Sequence, residues 1–131
     1  MEFVRQRDRM DCGVACTAML CGVSYEEAWK QFAWKPSQYT HGLTTKDIRE
    51  AAERLGYITI GGVGGRLLPC GPTRWEAIPS RSLVKIPHPT RPGVWHWVVW
   101  HRRKVYDPAR GVFRLNKYDW VPTSYLRFER K

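Results

Sequence analysis

Residues suited to cysteine chemistry stand at the start of the chain. Gln6 lies six residues before Cys12, and an apolar run compatible with a helix follows Cys12 directly. In the first turn of a helix, unpaired backbone N–H groups and the positive end of the helix dipole favour the thiolate form of a cysteine. A glutamine side chain folded back beside the sulfur can donate a hydrogen bond to an oxyanion, and Gly13 would let the backbone of a substrate approach. These residues predict a cysteine nucleophile.

A structural role is the alternative for these thiols. Cys12, Cys16 and Cys21 all fall within the predicted helix, and free cysteine packs in protein cores as a small apolar side chain. The choice between the two roles depends on whether a histidine base reaches Cys12. The four cysteines, which include Cys70, contain no Cys-x-x-Cys pair, so we expect neither a metal site nor a cofactor.

The candidate base and its orienting group lie near residue 100. Residues 94–100 are aromatic and β-branched, which predicts a buried strand carrying His96, and a second strand ends at Asp107 before a Pro- and Gly-containing turn. If a two-residue turn joins the strands, Trp100 pairs with Val105, and side-chain alternation makes His96 and Asp107 diagonal neighbours roughly 7–8 Å apart. A half-buried histidine and a turn-initiating aspartate are the separate alternatives. Because His96 and Asp107 lie on the same face of the predicted hairpin, we favour a catalytic pair over these separate roles.

Capping residues and periodic apolar positions predict the elements that hold these residues. A first helix covers 12–21 and ends at Gly22. A second helix covers 24–32 after a capping box, and a third begins near Thr44 and ends at Gly56. Strands are predicted at 57–60, 82–86, 95–100, 104–107, 112–115 and 125–128. Helices followed by antiparallel strands predict an α+β domain, with N-terminal helices packed on a C-terminal antiparallel sheet and the substrate cleft between the two layers.

Both ends of the chain resemble the papain-like cysteine peptidases that process bacteriocin and lanthipeptide precursors. This family supplies the front domain of bacteriocin-exporting ABC transporters. Its opening pattern is Gln, four residues, an acidic residue, Cys-Gly, one residue and Ala-Cys, which appears here as Gln6 followed by 11–16. Its closing pattern is a His-aromatic-Val-Val strand and a later strand ending in Asp-Pro, which appear here at 96–99 and 107–108.

The resemblance implies a papain-like fold and hydrolysis of a peptide bond, after Gly-Gly in a leader-type peptide. It implies that Cys12 is the nucleophile, that His96 is the general base and acid, and that Asp107 orients the imidazole. It implies Gln6 as the oxyanion donor. The residues that we expect to bind the substrate are Gly13, Trp95 and Trp97. Deamidation, transglutamination or isopeptide cleavage by the same triad, and a basic binding protein without activity, are the alternatives.

Size and charge set the remaining expectations. A chain of 131 residues that is 43% apolar, with seven tryptophans, fits a single globular domain over 1–131. The net charge of +10 suits an acidic peptide or protein substrate, and without a nucleic-acid-binding motif we do not expect nucleic acid as a partner. No apolar run approaches the length of a membrane span and the start lacks a signal-peptide core, so we expect a stand-alone cytoplasmic domain. The glycine-rich residues 61–65 suit a flap or a linker.

Overall fold

The computed structural model describes residues 1–32, 43–61, 68–69 and 75–131. All structural statements below refer to these parts of the chain. Residues 62–65 of the glycine-rich segment and Cys70 lie outside them.

Two of the three helices begin and end where their capping residues predict. Helix α1 spans Cys12–Cys21 and ends at Gly22, whose φ of 66° is left-handed. Helix α3 spans Thr45–Arg54, and Thr44 caps it in a reciprocal box: its side chain accepts from the N–H of Asp47, and the carboxylate of Asp47 accepts from the N–H of Thr44. Both predicted helices are confirmed.

Helix α2 is shorter than its predicted range of 24–32. It spans Tyr25–Trp29, and the side chain of Ser24 caps it by accepting from the N–H of Glu27. The prediction of its end is wrong because the next turn tightens: the N–H of Gln31 donates to the carbonyl of Ala28, three residues back rather than four.

The strands form one antiparallel sheet in the described part of the chain. Its order is β1-β7-β3-β4-β5-β6, and the short β2 also pairs with β7. The strands are β1 (Tyr57–Ile60), β2 (Leu68–Pro69), β3 (Ser82–Pro87), β4 (Trp95–His101), β5 (Lys104–Asp107), β6 (Gly111–Arg114) and β7 (Ser124–Arg130). Short 3-10 turns cover Trp75–Ala77 and Leu115–Lys117. The predicted α+β class is confirmed.

The hairpin of β4 and β5 has the predicted register. Trp100 lies opposite Val105, and His101 lies opposite Lys104. The two residues between the strands, Arg102 and Arg103, have φ values of 47° and 64°. Left-handed backbone at both central positions is the geometry of a type I′ turn, whose twist matches that of the paired strands.

Alternate residues of β4 belong to two different cores. Trp97 and Val99 pack with the helices in the first core. Val98 and Trp100 belong to a second core. His96 has the parity of Val98, so it is on the strand face opposite to the one that α1 covers. A residue of α1 can therefore meet His96 only near the end of the helix.

Candidate active site

Cys12 is the first residue of α1, and only 8% of its surface is exposed. The hydrogen bonds at this end begin with the N–H groups of Val14 and Ala15, which both donate to the carbonyl of Asp11. The N–H groups of Cys12 and Gly13 precede those bonds, as is usual in the first turn of a helix. Two backbone donors are therefore available beside the sulfur.

The buried carboxylate of Asp11 folds the segment that precedes the nucleophile. It accepts hydrogen bonds from the N–H of Arg7 at 2.8 Å, from the N–H of Asp8 at 3.1 Å and from the hydroxyl of Tyr25 at 2.6 Å. Burial and the bond to Asp11 together raise the pKa of Tyr25 well above its ordinary value. Asp11 caps no N–H of its own helix with its side chain. It instead sets the path of the chain that brings Gln6 toward the site.

Gln6 lies between this loop and the turn that follows β5. Its N–H donates to the carbonyl of Pro108 at 3.0 Å, and the neighbouring Arg5 donates to the carbonyl of Ala109 at 3.1 Å. Its amide Nε2 donates to the carbonyl of Asp8 at 2.7 Å. Oε1 is buried without a hydrogen-bond partner among the described residues. Because an amide nitrogen carries two hydrogens, the bond to Asp8 leaves one N–H of Gln6 for another acceptor.

His96 and Asp107 form a buried pair. His96 Nε2 lies 2.9 Å from Asp107 Oδ1, and the ring of His96 is 3% exposed. Cys12 and His96 line the same cleft. Because Nε2 faces the carboxylate, Nδ1 is the ring nitrogen left for the sulfur. Burial lowers the pKa of His96, but the bonds to Asp107 and Cys12 outweigh this effect and raise the pKa to about 9. The imidazole is therefore protonated at neutral pH.

Asp107 is held by more donors than the sequence indicates. Its Oδ2 accepts from Arg110 Nε at 2.9 Å and from the hydroxyl of Tyr118 at 2.8 Å, and its Oδ1 also accepts from the N–H of Ala109 at 3.0 Å. Burial raises the pKa of Asp107, but the hydrogen bonds, led by the one from His96, bring it down to about 2. The carboxylate is ionised and fixed in one orientation.

The remaining described thiols are unlike Cys12 in their surroundings. Cys16 is fully buried, and burial raises its pKa well above the ordinary value. Burial also raises the pKa of Cys21 to about 12, although the charge of Arg81 opposes the rise. Both thiols are protonated at neutral pH and pack as apolar side chains, which is the structural role weighed for all three.

A cleft of about 250 Å³ opens above Cys12 and His96. Trp95 and Trp97 line it: Trp95 is 50% exposed, and Trp97 is buried with its Nε1 donating to the carbonyl of Leu43 at 3.1 Å. The complete lining is Arg9, Met10, Cys12, Leu43, Thr44, Thr45, Lys85, His88, Arg91, Val94, Trp95, His96 and Trp97. The structure thus brings both tryptophans to the cleft that holds the cysteine and the histidine.

Comparisons with known proteins agree with this geometry. The model of the peptidase C39 family matches residues 1–61, which include Gln6 and Cys12. The match covers a little under half of the chain and supports the resemblance found in the sequence. Among solved structures, the chain is similar to a double glycine motif protease from an AMS/PCAT transporter, crystallised in complex with the leader peptide. The TM-score is 0.66 at 14% identity, over 99% of this chain and 91% of that one. No curated protein matches the chain in sequence.

The papain-like fold is confirmed, and so is the assignment as a cysteine peptidase. The structure gives a packing reason for glycine at position 13. A Cβ atom there would lie 3.1 Å from Cδ1 of Ile48 and 3.1 Å from Cδ1 of Leu43, and Gly13 is not among the residues that line the cleft. The contact of Gly13 with a substrate stays a prediction.

Sequence reasoning missed a second histidine at this cleft. The ring centroid of His88 lies 5.7 Å from that of His96, with the rings edge to face, and His88 lines the cleft. Burial and the charge of His96 lower the pKa of His88. Its Nδ1 accepts from the N–H of Thr90 at 3.2 Å. His88 is a neutral cleft wall, and its position between two prolines gave no signal of this placement.

The described residues contain neither a metal-binding cluster nor a membrane-spanning helix. Within the described ranges, no three His, Cys, Asp or Glu side chains are grouped closely enough to hold a metal ion. None of the described helices has the length and apolar character needed to cross a bilayer.

Proposed function

We propose that this cysteine peptidase uses Cys12, His96 and Asp107 as its triad and hydrolyses a leader-type peptide after Gly-Gly. Residues 1–131 would act as one peptidase domain. The observation that carries the proposal is the buried His96–Asp107 pair, whose histidine lines the same cleft as Cys12. Each of the three side chains then has the partner that its role requires.

In the proposed reaction the ring of His96 holds the proton, and the sulfur of Cys12 acts as the thiolate. The sulfur attacks the carbonyl carbon of the peptide bond, and the carbonyl oxygen becomes an oxyanion. The N–H of Cys12 and the second amide N–H of Gln6 would stabilise this charge, and such donors typically contribute ~3–4 kcal/mol each.

The bond to nitrogen then breaks, and the imidazolium of His96 gives its proton to the leaving amine. This step leaves a thioester on Cys12. Water attacks the thioester carbonyl while His96 takes its proton, and the acid product and the free thiol are released. Asp107 keeps Nε2 of the ring occupied throughout, which holds Nδ1 toward the sulfur and stabilises the positive ring.

The substrate class rests on the family resemblance and on the shape of the cleft. The similar crystal structure is of a double glycine motif protease with a leader peptide bound. In this chain, Trp95 and Trp97 provide an aromatic wall in the cleft that His96 also lines. An extended peptide with small residues at the scissile bond suits this site.

Alkylation and peptide cleavage test the proposal together. Iodoacetamide at neutral pH should modify Cys12 selectively over Cys16 and Cys21, and mapping the adduct by mass spectrometry identifies the thiol. A peptide containing Gly-Gly should be split after the second glycine. Cys12→Ala should abolish cleavage, whereas the matched control Cys21→Ala should retain it.

The masses of the products separate the alternatives. Splitting of the peptide supports hydrolysis. Exchange of an amide nitrogen for oxygen without splitting would mean deamidation, and joining of two peptides would mean transglutamination, so either result would contradict the proposal. A folded protein with an unreactive Cys12 would contradict the catalytic assignment of that residue.

A further inference from the structure

The cleft of the proposed active site is strongly positive. Its lining includes Arg9, Lys85 and Arg91, and none of the lining residues of the described chain is Asp or Glu. No ion pair joins any of these three cations to a described carboxylate, although several exposed cations elsewhere in the chain do have such partners. The cleft therefore holds uncompensated positive charge beside the nucleophile.

Lys85 is the most enclosed of these cations. It lies on β3 directly opposite Trp97 of β4. Its Nζ is 4.7 Å from the ring centroid of Trp95 and 5.7 Å from that of Trp97. Partial burial between these rings lowers the pKa of Lys85. The ammonium group is thus held in an aromatic notch at the side of the cleft.

A partly desolvated cation is costly when no counter-ion faces it, and cation–π contacts recover only part of that cost. A carboxylate arriving in the notch would restore the lost ionic and hydrogen-bonding partner. Charge-assisted hydrogen bonds are stronger than neutral ones, and they gain further where water is excluded. The arrangement is suited to an anionic group on a bound ligand.

We propose that Lys85, assisted by Arg9 and Arg91, binds a carboxylate of the peptide substrate next to the scissile bond. This inference rests on the proposed function, since the cleft is the peptide site only if Cys12 is the nucleophile. The carboxylate is either an Asp or Glu side chain of the peptide or its terminal carboxylate. The subsite selects charge at one position, in addition to any preference for small residues at the cleavage point.

The test compares two alkylating agents that differ only in charge. Iodoacetate carries a carboxylate where iodoacetamide carries an amide, and both transfer their carbon to a cysteine sulfur with loss of iodide. The rate ratio of iodoacetate to iodoacetamide at Cys12 therefore reports attraction of a carboxylate. In Lys85→Met the ratio should fall about tenfold, because a charge-assisted bond is lost while the aliphatic contact with the tryptophans is kept.

Lys104→Met is the matched control. Lys104 is an exposed lysine at the start of β5 and does not line the cleft, so this variant removes the same charge at a distance. Its ratio should equal that of the parent protein, and Lys85→Arg should also keep the ratio high. Equal falls in Lys85→Met and Lys104→Met, or no fall in either, would overturn the subsite.

The same measurement separates the two proposals. If neither agent modifies Cys12, the proposed function fails. If both agents modify Cys12 with a ratio that Lys85→Met leaves unchanged, the function stands and the carboxylate subsite fails.

Paired peptides then identify the source of the carboxylate. A Glu peptide cleaved faster than its Gln counterpart assigns the subsite to a side chain, and a free terminus cleaved faster than an amidated one assigns it to the terminal carboxylate. Either preference should disappear in Lys85→Met. Equal cleavage within both pairs would refute the proposal.

Discussion

Asp107 occupies Nε2 of His96 and leaves Nδ1 for Cys12, and this asymmetry determines the chemistry proposed for the ring. Asp107 binds Nε2 and itself accepts bonds from Arg110 and Tyr118, so its negative charge is shared among three side chains. The guanidinium of Arg110 also stacks 3.6 Å from the ring centroid of Trp120. Rotation of Asp107 would break several bonds at once, which keeps the imidazole pointed at Cys12.

The raised pKa of His96 predicts an alkaline limit to activity. With a pKa of about 9, the ring keeps the proton that the leaving amine needs until the pH passes that value, so kcat/KM should fall above it. Asp107→Asn should move this limb toward neutral pH, because both the bond and the charge that raise the pKa are weakened. The pH profiles of peptide cleavage by the parent protein and by Asp107→Asn measure the two alkaline limbs. An identical limb in the variant would contradict this origin of the shift.

Protonation of His96 also affects the stability of the folded state, and the direction of the pKa shift gives the sign of this effect. The pKa of His96 is raised from its ordinary 6.5 to about 9 on folding, so the protonated ring favours the folded state. That contribution is fully present below about 6.5 and is lost as the pH rises through about 9. Asp107 shifts the opposite way, and its contribution is lost only as the pH falls toward about 2.

At the scale of elements, α1 approaches α3 closely at Gly13. The prediction is that Gly13→Ala lowers the free energy of unfolding by roughly 1–3 kcal/mol, because its Cβ would press on Ile48 and Leu43. Urea denaturation measures the loss. Adding Ile48→Val removes the Cδ1 atom that lies 3.1 Å from the new Cβ, and should recover part of it. Unchanged stability with a raised KM would instead favour the substrate contact first expected for Gly13.

Local sequence patterns were sufficient for the elements that carry the catalytic candidates. Helix caps act within a few residues, so the end of α1 at Gly22 and the start of α3 after Thr44 were predictable. The register of β4 and β5 was predictable because a two-residue turn leaves one pairing that buries both strands. The proximity of His96 and Asp107 then followed from parity.

Contacts between distant elements were not predictable in this way. Lys85 reaches the cleft because β3 pairs with β4, and His88 does so because the same hairpin folds over the site. Arg110 follows Asp107 by three residues, a spacing that suits an ion pair across the turn, but its stacking on Trp120 depends on the chain beyond β6. Alternation along the sequence predicts the face of a strand on which a side chain lies. It does not predict which strand pairs with that strand in the sheet.

At the scale of the whole molecule, the last strand of the sheet lies inside it and joins two earlier strands. β7 lies between β1 and β3, and its Leu126 and Phe128 are buried in the core under the helices. The earliest and latest strands of the described chain are therefore neighbours. This long-range pairing makes the fold depend on residues far from the catalytic candidates.

Truncation tests this dependence. A chain ending at Thr123 lacks β7 and should not fold, because β1 and β3 lose their common partner and the first core loses two buried side chains. Circular dichroism and thermal melting should show no cooperative transition. Removal of Lys131 alone leaves β7 intact and should preserve the transition. A cooperative melt in the chain ending at Thr123 would contradict the central role of β7.

The hydrogen bond from Gln6 to Pro108 joins the two halves of the proposed catalytic apparatus across most of the chain. During translation Cys12 is made long before His96 and Asp107, and β7 is made after all three. The proposed triad is therefore incomplete until Asp107 has been added, and the sheet that carries its last two members is incomplete until β7 has been added.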